Sequence, residues 1–395
     1  MKKIFFKMML ILILLISGLA IAGCSQSSSS QSGNESEKTD KNEVKLPDSG
    51  PLTINPDISS EQEILSKGPY GEPAISAKDF QLTEEEIEKI KEGKYKAAIA
   101  MHYAGNDYST AQINGLKAAF ERMGIEVVAV TDGQFKSEKQ VADIETIMAK
   151  SPDIIVSLPV DPVSTAPAFK KAADAGIKLV FMDSVPVGLE PGKDYVSVIA
   201  SDNYGNGTAA GDILGEQLGG KGKVGIIYHD VDFFVNNQRR EAVETTLKEK
   251  YPEIEIVTSS GITTPNDAEK VASAMLTRYN DLDGIFAIWD VPAEGVLAAA
   301  RTAGKEDLII TTVDLGTNVA LEIASGGNVK GLGSQLPFDQ GVAEAILAGH
   351  SLLGKEVPPF VAVPGLAVTQ ENVLEAWKMA YRQEAPEVIQ EAAKQ

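Results

Sequence analysis

The chain has 395 residues, with 56 Asp and Glu against 36 Lys and Arg and a formal net charge of −20. That balance disfavours nucleic acid and anionic lipid headgroups as partners, since both need clustered cations to neutralise phosphate. One cysteine, Cys24, excludes an intramolecular disulfide, so the body must be held by its core, and its length allows two domains at ~100–200 residues each.

Taken in order, Lys2, Lys3 and Lys7, an apolar run from Leu10 to Leu19, and small residues before Cys24 form a secretion signal over residues 1–23. Ile21-Ala22-Gly23-Cys24 resembles the lipobox of bacterial lipoproteins. The resemblance implies cleavage before Cys24 and lipid attachment to it, which would place the chain outside the cytoplasm on the cell membrane. Ser25 to Glu43 is almost free of apolar residues and reads as a flexible tether. Leu46 to Gly93 is rich in Pro and Gly, with one helix signalled by the capping-box pattern Thr83-Glu84-Glu85-Glu86. Residues 24–94 are therefore expected to be a tether and an arm leading to the core. No second apolar run approaches the ~18 residues of a membrane span.

From Lys96 strands and helices alternate. Ala97–Met101 is a strand; the next helix turns Ile113, Leu116, Phe120 and Met123 to one face and stops at Gly124. Val127–Val130 follows, then a helix capped at Ser137-Glu138-Lys139-Gln140, then Ile154–Leu158, apolar throughout as in parallel sheets buried on both faces. Leu179–Met182 and Tyr195–Ala200 complete the first set. A second set has strands at Val224–Tyr228, Ile254–Val257, Ile285–Ile288 and Ile309–Val313. The two are a structural repeat: the segments 153–161 and 283–291 match, and each precedes an alanine-rich helix, a glycine (Gly176, Gly304) and a strand ending in aspartate (Asp183, Asp314). The fold expected is α/β, with two similar doubly wound parallel-sheet lobes joined by a three-stranded hinge and a ligand cleft between them. Crossings near Ser201, Gln335 and Gly365 give an N-terminal lobe of 95–200 plus 337–364 and a C-terminal lobe of 201–336 plus 365–395.

Ligands of such sheets bind beyond the carboxyl ends of the strands. Those ends carry His102, Tyr103, Asn106, Tyr108, Leu158 and Asp183 in the first lobe, and His229, Phe233, Phe234, Asn236, Asn237, Trp289, Asp290 and Asp314 in the second. Carboxylates, amides and aromatic faces suit a neutral polyhydroxylated molecule. An anion would call for arginine forks, and of the nearby Arg239 and Arg240 only one can face a cleft. Each residue has a structural alternative: turn or cap for Asp183 and Asp314, core for Trp289, helix N-cap for Asn106 and Asn237, wall packing for His102 and His229. The histidines lack the spacing of a metal site, and no metal is expected. Gly205-Asn206-Gly207-Thr208-Ala209-Ala210 matches the dinucleotide fingerprint G-x-G-x-x-A, but an exported chain lies outside the cytoplasmic cofactor pool. With no G-x-S-x-G or HExxH, a binding protein without cofactor is expected over an NAD-dependent enzyme.

Ala200-Ser201-Asp202-Asn203 with Gly211, the Asp183 strand end, Phe286 to Asp290, Val313-Asp314 and Gln335-Leu336-Pro337 together resemble the ribose-type periplasmic sugar-binding proteins of ABC importers, over about Tyr95 to Val373. The resemblance implies a monomer that closes two lobes on a sugar and delivers it to an ABC permease. It implies Asn106, Tyr108, Asp183, Asp314 and Gln335 as ligand residues, to which Asn237 and Trp289 are added, with His102, Leu158, His229 and Phe234 as a second tier. Leu158 stands where ribose binders have asparagine, Ser184 and Asn237 where arginine is usual, Thr263 where an aromatic is usual and Trp289 where asparagine is usual, so the ligand need not be ribose. Val235 to Val257 is similar to the autoinducer-2 binding branch, which keeps a sensor lipoprotein open as the alternative role.

Overall fold

Strands apolar on both faces need cover on both sides, and the chain provides it twice. The computed structural model describes residues 44–59 and 63–394; the leader, Cys24 and the tether to Glu43 lie outside the described residues. The first set comprises β1 (Ile75–Ser76), α1 (Glu84–Gly93), β2 (Lys96–Met101), α2 (Asp107–Arg122), β3 (Glu126–Asp132), α3 (Ser137–Met148), β4 (Ile154–Ser157), α4 (Ala166–Asp174), β5 (Lys178–Met182) and β6 (Ser197–Ser201). The second comprises α5 (Asn203–Gln217), β7 (Lys221–His229), α6 (Phe234–Lys250), β8 (Glu253–Ile262), α7 (Ala268–Arg278), β9 (Gly284–Ala287), α8 (Asp290–Thr302), β10 (Ile309–Val313), α9 (Thr317–Ala324) and β11 (Val329–Ser334). The end of the chain adds α10 (Pro337–Leu352), β12 (Phe360–Val363), β13 (Leu366–Thr369), α11 (Val373–Tyr381) and α12 (Glu387–Ala392).

One sheet has the order β1-β12-β6-β5-β4-β2-β3 and the other β13-β11-β10-β9-β7-β8. Every pairing is parallel except β11 with β13. The runs β3-β2-β4-β5-β6 and β8-β7-β9-β10-β11 repeat one doubly wound order, with β5 equivalent to β10. The chain passes between the sheets after β6, after β11 and between β12 and β13. At these passages a Cβ on Gly333 would lie 2.2 Å from the Asn206 backbone oxygen, so β11 tolerates no side chain there, and one on Gly365 would lie 1.9 Å from the Asn206 side chain.

The arm is more than a lead-in. Leu52, Ile54 and Ile58 are buried, and β1 adds an edge strand to the first sheet through β12. The Asn55 amide donates to Asp339 Oδ1 at 2.8 Å, the oxygen that also pairs with Arg382. Leu65 N, Ser66 N and Ser66 Oγ donate to the Asp202 carboxylate at 3.1, 2.9 and 2.8 Å, at the first crossing. Lys67 and Gln238 of α6 exchange two bonds, of 3.1 and 2.8 Å. The arm thus lies along the hinge and touches both lobes. Its apolar residues are isolated and without period, which is why pattern alone treated it as a connection. The helix predicted within it does form, with Thr83 and Glu86 in a reciprocal capping box.

Two local readings change. The cap expected at Ser137 is absent: α3 begins without a side-chain cap, and Gln140 turns inward, donating to Leu158 O at 2.8 Å and accepting from Val160 N at 2.7 Å. Gly205 and Gly207 lie inside α5, after a turn made by Asp202. A Cβ on Gly207 would fall 2.4 Å from Arg239 O, so that glycine lets α5 and α6 pack closely and cradles no phosphate.

Asp202 both caps α5, accepting from Gly205 N at 3.1 Å, and ties down the arm. Asp202→Ala is expected to lower the unfolding free energy by about 2–4 kcal/mol in urea titration and to open the arm to trypsin at Lys67. An unchanged midpoint and cleavage pattern would mean the arm merely rests on the lobes.

Candidate functional site

The site grows from the two equivalent strand ends. Asp183 after β5 and Asp314 after β10 both have left-handed backbones, with φ of 48° and 74°. Asp is one of the few residues that tolerates this region, and it does so here because the turn aims each carboxylate off the end of its sheet. Tyr108, on the first turn of α2, donates to Asp183 Oδ2 at 2.5 Å. Asp314 accepts from Gln335 Nε2 at 2.7 Å and from Arg239 Nη1 at 3.3 Å. Arg239 also donates through Nε to Asn203 Oδ1 at 2.6 Å, linking the site to the start of α5 at the hinge.

The lobes meet beside these groups. Asp107, at the start of α2, accepts from Thr317 N at 2.8 Å and Thr317 Oγ1 at 2.7 Å, placing a carboxylate of one lobe on the N-terminus of α9 in the other. Burial pushes Asp183 up to about 6, against the Tyr108 hydrogen bond and the Arg239 charge. Burial and the Asp314 charge hold Asp290 well above the carboxylate range. Burial and the nearby Asp183 charge do the same to Glu344 on α10, whose Oε1 accepts from Gln112 at 2.7 Å. Asp183 Oδ1 and Gln335 Oε1 are buried and have no donor. Two buried acceptors on facing lobes are what a ligand rich in donors would complete.

The remaining expected residues fall in different places. Asn106 is the N-cap of α2, accepting from Ser109 N at 2.9 Å. Asn237 is exposed and donates to Asp232 at 2.9 Å, while the helix turns Arg239 inward in its place. Trp289 is half-buried, directly before Asp290, with its ring edge-on to His229 at 5.2 Å. His229 also meets Asn236 at 3.1 Å, and His102 lies edge-on to Phe135 at 5.1 Å; burial lowers both rings, His102 to about 4, which keeps them neutral. Leu158 is buried, held by Gln140. Phe234 packs on Phe360 at 5.9 Å, against the apolar cluster of the first sheet. Among the described residues no group of three His, Cys, Asp or Glu could hold a metal. Two surface grooves of about 750 and 610 Å³ lie at the amino ends of the sheets, beside Lys221 and Asp283 and beside Tyr95 and Asp153, opposite the strand ends that carry the site.

Sequence reasoning undervalued Arg239 and passed over Glu344, Gln112 and the Asp107–Thr317 contact. A signal for Arg239 existed: it shares the buried helix face of Val235, Ala242, Val243 and Thr246, where a charge needs a partner.

A carboxyl raised from 3.8 to about 6 stays protonated in the folded chain while the unfolded chain ionises. Stability therefore falls as pH rises from about 3.8 to about 6 and is level above that. Asp183→Asn removes this loss. The ligand-free variant should match the native chain near pH 3.5 and exceed it by about 2–3 kcal/mol at pH 7.5 in thermal unfolding. A native advantage at pH 7.5 would show that Arg239 and Tyr108 outweigh desolvation.

A family model for the periplasmic binding protein domain matches residues 81–356. The ribose import binding protein of Salmonella typhimurium is 25% identical over 265 residues, 66% of this chain and 86% of that protein. The D-ribose/D-allose-binding protein of Pseudomonas aeruginosa is 28% identical over 217 residues, 54% of this chain and 68% of that protein. Among solved structures, a solute-binding protein of an ABC transporter from Actinobacillus succinogenes with bound D-allose has 27% identity and a TM-score of 0.63, covering 71% of this chain and 99% of its own. One from Agrobacterium vitis with bound α-D-tagatopyranose, at 24% identity, shares the fold with a TM-score of 0.66 over 73% of this chain and 100% of its own. These relatives are solute-binding proteins, not enzymes. With two lobes of repeated strand order and the match across both, the chain belongs to the periplasmic binding protein family, of the ribose type.

Proposed function

We propose that this protein is an extracytoplasmic lipoprotein that captures a sugar or sugar-like polyol between its lobes and delivers it to an ABC importer. The observation that carries this reading is the pair of buried, donorless acceptors, Asp183 Oδ1 in one lobe and Gln335 Oε1, whose amide nitrogen donates to Asp314, in the other. Hydroxyl groups supply the donors such acceptors lack. Relatives named for ribose, allose and galactofuranose support the same ligand class.

The mechanism is two-state closure. Tyr108 and Asp183 belong to one lobe, and Arg239, Asp314 and Gln335 reach the ligand from the other side. A ligand touching both sets gains its full contacts only when the lobes meet, so it shifts the ensemble towards the closed form that a permease would read. Asp107 and Thr317 would latch that form. The lobe boundaries at 95–200 plus 337–364 and 201–336 plus 365–395 put the moving joint at the three crossings. Lipid on Cys24, followed by the tether, would hold the protein within reach of its membrane partner.

Asp314→Ala should abolish ligand-induced thermal stabilisation while leaving the far-ultraviolet circular dichroism intact. The loss of one charge-assisted bond costs about 1.5–3 kcal/mol, roughly ten- to a hundredfold in affinity. Undiminished binding would remove Asp314 from the site. Cys24→Ala should move the protein from the membrane fraction to the soluble one with its ligand affinity unchanged; lost affinity would mean that anchor and site are coupled. Uptake of the identified ligand must fail in a deletion strain, and normal uptake there would turn the reading towards a sensor.

A further inference from the structure

Of the buried acids of the described residues, Asp290 and Glu344 have no cation, but each has a donor, Val291 N and Gln112 Nε2, and burial holds both well above the carboxylate range, so they stay uncharged. Asp339 pairs with Arg382 at 2.8 Å. Asp194 accepts from Glu190 N at 3.0 Å and faces Lys170 at 3.5 Å. Asp202 is surrounded by amide and hydroxyl donors of the arm and of α5. Asp314 has Arg239, which is the only buried Lys or Arg among the described residues. Asp183, only 5% exposed, has no ion pair; its one donor is the Tyr108 hydroxyl, and Oδ1 is bare. The neighbours bring no cation: Ser184 is neutral and buried, and Asn237 turns out to Asp232.

Two carboxylates and one guanidinium leave the facing pair Asp183 and Asp314 one positive charge short. Hydroxyls can satisfy the bare acceptors but cannot supply that charge. A metal ion would, but no group of three ligating side chains converges there. An ammonium group brings one charge and three donors in a compact head, which suits the bare oxygen of Asp183, with the bare amide oxygen of Gln335, the side chain bonded to Asp314, as a further acceptor.

We infer that the sugar-like ligand carries a single protonated amine and that Asp183 receives it, with Gln335 Oε1 as a second acceptor. This rests on the sugar-binding reading above and narrows its ligand from a neutral sugar to an amino sugar or aminocyclitol. In the free protein below about pH 6 the missing charge is made up by a proton. The groups facing Asp183 are Tyr108 from α2, Arg239 from α6, Asp314 from the end of β10 and Glu344 from α10; burial, aided by the Asp314 charge, outweighs Tyr108 and Arg239 and holds Asp183 at about 6. A binding ammonium expels that proton. Affinity for an amine ligand therefore rises with pH, by up to about tenfold per unit below 6, and levels off above it. A neutral ligand gains nothing from the exchange.

The test is calorimetric titration of the full chain in detergent, at pH 5, 6 and 7, with matched pairs: D-glucosamine and D-glucose, 3-amino-3-deoxy-D-ribose and D-ribose, an inosamine and its inositol. At pH 7 the amine of at least one pair should bind at least tenfold more tightly than its hydroxyl counterpart. Its advantage should shrink towards pH 5, with proton release visible as a dependence on buffer ionisation heat. Asp183→Asn should collapse the amine-to-hydroxyl ratio, whereas Glu344→Gln should keep it, separating Asp183 from its acidic neighbour. If the hydroxyl members bind as well as the amines, the amine inference is wrong and the sugar-binding reading stands. If ethanolamine binds as tightly as the amino sugars, the cation stands and the sugar falls. If no member of any pair binds, both fall.

Discussion

The structure depends on keeping two carboxylates, Asp183 and Asp314, out of water and close to one another. Bringing such groups together costs desolvation and mutual repulsion, and only specific donors offset it. Tyr108 serves one, while Arg239 and Gln335 serve the other. The arrangement is incomplete, since Asp183 Oδ1 and Gln335 Oε1 are left bare. Under the proposed function, a bound ligand would supply the missing donors.

Much of the rest of the fold serves that placement. The repeated strand order puts β5 and β10 at equivalent positions, so each sheet delivers one aspartate from the same kind of strand end. Both residues take a left-handed backbone, a strain that the surrounding hydrogen bonds, Asp183 N to Ile199 O and Asp314 N to Gly333 O, hold in place. Arg239 reaches from α6 across to Asn203, so the charge that steadies Asp314 is anchored at the first crossing between lobes. One side chain therefore links the candidate site to that crossing.

The arm adds a second tie at that crossing. It meets the family match only at its end, since residues before 81 lie outside the matched span. Yet it bonds to Asp202, to Asp339 and to Gln238, and extends the first sheet through β1. Under the proposed closure, a segment that bonds to both lobes beside the hinge would contribute to the energy difference between the two forms, because relative motion would strain its contacts.

The α/β class, the two repeated lobes and the equivalence of Asp183 and Asp314 were legible in the sequence, because apolar runs, helical periodicity and strand-end aspartates are local patterns. So were the capping box at Thr83 and the carboxylate at each strand end. Other features were not local. Asn106 and Asn237 look alike as loop amides; one caps a helix and the other faces solvent, a choice made by helix register and not by residue type. Of Arg239 and Arg240 only one could face a cleft, and the packing of α6 against α5 decided which by turning Arg239 inward. The arm looked like a connection because its contacts are with Asp202, Gln238 and Asp339, more than a hundred residues away. The sequence by itself determined which chemical groups stand at the strand ends, since each strand's end is written in its own residues. Only the tertiary structure decided which groups face one another, which charges remain unbalanced and where the arm is tied, since those depend on the distance between segments far apart in the chain.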